Sequence, residues 1–143
     1  MPLRIYNEAS EDQLNALVDK LDTGGDGRIE IRSGTQPAVN GALTGTLLAT
    51  FTLAPTSATA FGAAAASGSG AVATANDLPI EDSSADATAT AGYAAALEND
   101  GSVIFTGGVA TDTSEEFQLS TLSIVSGQPV SLESLSITQP QTD

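Results

Sequence analysis

The six residues Asp22-Thr23-Gly24-Gly25-Asp26-Gly27 come nearest to a chemical site in this sequence. With Asp22 as the first position of a calcium loop, Asp26 and Gly27 fall where an EF-hand places a ligand and its turn glycine. The third position is then Gly24, and Ser33 stands where the bidentate carboxylate belongs. The reading that fits better is a helix C-terminus leading into a turn. No metal site is expected.

Other chemistries fail on residue types. The chain has no Cys, no His and no Trp, which removes thiolate metal sites, disulfides and Cys- or His-based nucleophilic catalysis. Lys20 is the only lysine that could activate a serine, and it sits on the polar face of an expected helix. Eighteen carboxylates could in principle supply an acid/base pair for glycoside cleavage. Sugar sites also use aromatic platforms, and this chain offers only Tyr6 and Tyr93 beside its few phenylalanines. Ser67–Val72, SGSGAV, lacks the spacing and the Lys-Ser/Thr of a phosphate loop. The expectation is a protein that is not an enzyme and takes no cofactor.

Charge bounds the partners. Arg4, Lys20, Arg28 and Arg32 are the only bases, and they face seven acids within the first 32 residues, leaving −3 there. The remaining eleven acids meet no base, so residues 33–143 carry −11 of the net −14. Such a surface repels phosphate backbones, so direct nucleic-acid binding is not expected. No apolar run approaches the ~18 residues of a membrane span, and no signal-peptide pattern opens the chain. Hydrophobic residues make up 41%, but much of that is Ala and only 4% is aromatic, which predicts a thin core.

Positioning elements follow from periodicity. Leu3-Arg4-Ile5-Tyr6 alternates, as a short strand or an arm laid on a surface. Ser10 and Gln13 form a capping-box pair that would open a helix carrying Leu14, Leu17, Val18 and Leu21 on one stripe. Gly24-Gly25 would end it. From Arg28 the period becomes two, with Ile29 and Ile31 opposite Arg28, Glu30 and Arg32. A Gly34–Gly41 loop precedes a strand of Leu47, Ala49, Phe51 and Leu53, whose polar face Leu48 breaks, pointing to a second contact surface.

In the small-residue stretch Pro55–Asn76, a helix turn at Ala63–Ala66 is opposed by Gly62, Gly68 and Gly70, which argue for strands with a turn or a mobile loop, and strands are favoured. Glu81–Asp86 reads as an acidic surface loop, and Thr88–Leu97 as one strand with Tyr93, Ala95 and Leu97 in phase. Asn99-Asp100-Gly101 predicts a hairpin back into Val103–Thr106. Phase slips between Leu119 and Leu122, and between Leu132 and Leu135, predict bulges or corners, with a turn at Ser126–Pro129 between them. About eight short strands after one helix indicate an all-β fold, an antiparallel β-sandwich or jelly roll. Residues 1–27 form the arm and helix, and 28–143 the sandwich body of a single domain.

The ordered series RIEIRSGTQPA, TGTLLATFTL, AFG, ATAN, EDSSADATATAGY, ENDG and TLSIVSGQPVSLESLSI, behind a helix ending in glycines, resembles a family of small tailed-bacteriophage virion proteins. The likeness runs from about Asp12 to Ile137. It implies a head-associated, decoration or cement role on the capsid surface of a virion whose parts are made in the host cytoplasm. The partner would be the major capsid protein, and the protein a homo-oligomer, with a trimer as one form. The alternative is a tail- or fibre-associated protein with a host-adhesion role. None of the matched segments carries a site residue over. Charge alone singles out Arg4, Arg28 and Arg32 as capsid-contact residues, because they would grip an acidic partner.

Overall fold

The computed structural model describes residues 1, 3–54, 58–67 and 70–140. Among these, α1 (Asn7–Asp19) passes into a 3-10 turn (Lys20–Asp22). The strands that follow are β1 (Arg28–Arg32), β2 (Leu47–Thr52), β3 (Ala65–Ser67), β4 (Gly70–Thr74), β5 (Ile80–Asp82) and β6 (Ala89–Thr90). They continue as β7 (Tyr93–Leu97), β8 (Val103–Gly107), β9 (Val109–Ala110), β10 (Phe117–Leu119), β11 (Ser123–Ile124) and β12 (Val130–Pro140). The fold is largely β and sandwich-like, with one short N-terminal helix.

The first sheet has the order β2-β1-β7-β8, all antiparallel. Ile29, Ile31, Phe51, Ala94 and Ala96 turn its inner face to the core and are fully buried. The second sheet is built on β12, with β3, β4, β10 and β9 in sequence around it and β5 pairing its N-terminal end. Its Ala71, Ala73, Phe117, Leu119, Leu132 and Leu135 share one core with the first sheet. A small sheet of β6 and β11 stands apart.

The helix packs on β4, β12 and β3, and Leu14, Val18 and Leu21 enter the same core. Leu17 is only half-buried at its margin. Burial of one face is what holds so short a helix.

Both predicted phase slips are real. Leu119 pairs with Leu132 where Gln118 pairs with Ser134, so Glu133 is the extra residue of a bulge. That bulge lets Leu132 and Leu135 both reach the core despite their odd spacing. Leu119 and Ile124 differ in phase because they belong to different sheets. The turn before β12 is present too, with Gln128 N donating to Val125 O at 3.0 Å and Gly127 at φ +81°.

Other expectations need correction. Tyr6, not Ser10, flanks the helix start, and no side chain caps it. Ser10 is fully buried in the first turn, its N–H donating to Tyr6 O at 3.0 Å, so docking of that turn moves the boundary four residues back. Leu48 is no outward contact: a register shift opposite Ile31–Arg32 makes it the bulged residue, and it is wholly buried. Glu81–Asp86 is not a free loop. Asp82 accepts from Thr50 N at 3.0 Å, and Asp86 N donates to Leu48 O at 2.8 Å, so the segment clasps the open edge of β2.

Thr88–Leu97 is two strands broken at Gly92, which passes so close to Gly34 that a Cβ would overlap the Gly34 carbonyl oxygen. The β7–β8 hairpin forms as expected, but only Gly101 takes positive φ, +94°. Gly101 N donates to Glu98 O at 3.0 Å, and Glu98 N to Ser102 O at 2.9 Å, the pattern of a type I turn closed by a left-handed glycine. β3 and β4 pair as the small-residue stretch predicts. Residues 55–57 and 68–69 of that stretch lie outside the described residues.

Candidate functional site

Alternation along β1 sends Arg28, Glu30 and Arg32 to the outer face of the first sheet. Their side chains meet. Arg28 Nε donates to Glu30 Oε2 at 3.0 Å, and Arg32 Nη2 and Nε donate to Glu30 Oε1 at 2.9 and 3.2 Å. Each guanidinium serves one carboxylate oxygen, so Glu30 is held between two positive charges. The Glu30 side chain is 8% exposed, against 33% for Arg28 and 20% for Arg32. A carboxylate so far from water needs such partners.

This face is covered rather than open. Cross-strand pairing sets Leu97, Ala95 and Tyr93 beside Arg28, Glu30 and Arg32, and all three are buried. Residues 33–46 fold back over them. The Tyr93 hydroxyl donates to Thr44 O and accepts from Thr44 N, Gln36 Nε2 donates to Thr106 Oγ1 at 2.8 Å, and Arg32 Nη1 reaches Gly45 O at 3.4 Å. Between Gln36–Gly41 and Val103–Thr106 lies a groove of about 590 Å³ with no ionisable side chain in its walls. Such a groove offers apolar surface from Val39, Ile104 and Phe105 and hydrogen-bonding groups from Gln36, Asn40 and Thr106, but no charge.

The structure therefore brings together two of the three arginines picked out by charge. Arg28 and Arg32 converge on Glu30, while Arg4 lies exposed on the N-terminal arm and makes no ion pair among the described residues. Lys20 pairs with the buried Glu98 at 3.1 Å. Asp22, the first residue of the rejected calcium loop, accepts from Ala60 N at 2.8 Å and ties the helix end to residues 58–60. No group of three or more His, Cys, Asp or Glu side chains among the described residues is placed to hold a metal. No described helix is long and apolar enough to cross a membrane.

Two roles seen in the structure go beyond the expectations from sequence. Glu30 stands between two arginines in a plus–minus–plus row, the one sequence signal that could have pointed to its clamp. Asp82, Asp100 and Asp112 each stand two residues before a serine whose N–H they accept, at 3.0, 2.9 and 2.9 Å. The repeated Asp-x-Ser spelling announces these turns. Ser102 lowers the Asp100 carboxyl below its ordinary value, first through its N–H and then its hydroxyl. Ser114 does the same to Asp112, hydroxyl first. Compared with family models, curated proteins and solved structures, the chain finds no match.

Proposed function

We propose that this chain is a structural virion protein, a decoration or cement protein that docks on the assembled capsid and stabilises it. The observation that carries this reading is the charge distribution. Lys20, Arg28 and Arg32 are all engaged in ion pairs with Glu98 and Glu30, so a body of net charge −14 presents carboxylates outward. Such a body stays soluble at high local density and repels packaged nucleic acid. The ordered resemblance of its segments to small phage virion proteins points the same way. The partly exposed flanks of Arg28 and Arg32 are the positive groups left on this face to meet the major capsid protein.

The mechanism is mass action. A protein that binds only the assembled lattice stabilises that lattice, and weak contacts repeated by symmetry add avidity. No catalytic step is assigned. The test is copy number in purified particles. Hundreds of copies following capsomer symmetry support decoration. Roughly six or twelve would place the protein at the tail or neck and favour the adhesion role instead.

A further inference from the structure

β8 is an edge strand of the first sheet, and its outward backbone groups find no partner among the described residues. The opposite edge, β2, is covered by Asp82 and Asp86. An unprotected edge is a template for another strand. Two concave surfaces border it. On the outer side is the uncharged groove containing Val39 and Ile104, with Val39 93% exposed. On the core side, a cleft of about 230 Å³ is lined by Leu17, Phe105, Glu116, Phe117 and Ile137. Glu116 makes no ion pair among the described residues.

The N-terminal arm has the complementary features. Leu3 and Tyr6 are 75% and 80% exposed, and the backbone of residues 3–5 joins no sheet. Alternation sets Leu3 and Ile5 on one side of an extended arm and Arg4 and Tyr6 on the other. Arg4 is also the one base that makes no ion pair among the described residues.

We propose that the Leu3–Tyr6 arm of one copy adds as a strand to the β8 edge of a second copy. Leu3 and Ile5 then cover the Val39 groove, Tyr6 fills the Phe105–Phe117 cleft, and Arg4 pairs with Glu116. Both faces of the added strand are matched, one apolar and one aromatic with opposite charge. Because donor and acceptor surfaces differ, the contact is head-to-tail and builds a ring where the rotation closes. This assembly does not depend on the virion role.

The experiment is sedimentation velocity on the full chain across about a hundredfold concentration range. Association is expected, and removal of residues 1–6 abolishes it. Arg4→Glu and Glu116→Arg each weaken association about tenfold or more, and the two swaps combined restore it. Both residues are exposed, so circular dichroism and Tm stay unchanged and serve as the folding control. A full chain that remains monomeric throughout overturns the proposal. So does association that survives loss of the arm, or charge swaps that fail to rescue each other.

Discussion

Tyr93 and Thr44 are joined twice: the tyrosine hydroxyl donates to the Thr44 carbonyl at 2.7 Å and accepts from the Thr44 amide at 2.9 Å. Tyr93 is fully buried on the central strand β7, so this pair pins the 33–46 loop to the rigid part of the sheet. Tyr93→Phe keeps the ring and removes both bonds. Since Thr44 is exposed and water can replace the lost partner, the expected cost is only about 1 kcal/mol. The sharper readout is limited proteolysis, with cleavage within residues 33–46 accelerating more than global unfolding does. Equal acceleration would show that the loop is held by something else.

Glu30 determines how its arginines behave. Glu30→Ala leaves two guanidinium groups on one strand face with no counter-charge, and a loss of about 2–3 kcal/mol is expected in urea unfolding. Arg28→Ala should cost about 1 kcal/mol or less, because Arg32 still holds the carboxylate. That variant also separates folding from docking. Lower particle occupancy at nearly unchanged Tm assigns Arg28 to the capsid contact, and unchanged occupancy removes it.

Legibility in the sequence followed the range of the forces involved. Local signals held: the alternation of RIEIR, the glycine hairpin at 99–101 and the phase slip at Leu132–Leu135 all correspond to observed strands, turn and bulge. Features set by distant contacts did not. Ser10 reads as a cap, yet it is buried because α1 packs on the second sheet, and nothing within the helix announces that. Leu48 looks like an exposed outlier until its register against β1 is known. Arg28 and Arg32 were legible as a positive row, but their engagement with a buried Glu30 depends on what covers that face. The cover comes from residues 33–46, which the pattern marks only as a loop.

Asp82 is the clasp on the β2 edge, holding Thr50 N with one oxygen and Ser84 N with the other, both at 3.0 Å. Asp82→Ala removes the side-chain part of that cover and leaves only the Asp86 N–H on Leu48 O. The expected effects are a loss of about 1–2 kcal/mol and concentration-dependent light scattering from edge-to-edge pairing. Asp82→Asn, which keeps an acceptor oxygen for one of the two donors, should fall between wild type and Ala. Scattering that rises in neither variant would mean that β2 is protected by other contacts.

The acid limb of stability should carry a contribution from Asp100 and Asp112. Hydrogen bonds from Ser102 and Ser114 hold both carboxyls below their ordinary value in the folded chain, and both groups are fully exposed. As pH falls, the unfolded chain therefore takes up these protons first, near pH 4 for a free aspartate. The stabilisation is complete above that point and disappears as pH drops through the lower folded values. Asn can keep the turn bond to the serine while removing the charge. Wild type should therefore melt slightly above Asp100→Asn/Asp112→Asn at about pH 6, with the gap closing below about pH 4. A gap that widens toward acid would reverse the sign of the linkage, and with it the role of the serine hydrogen bonds.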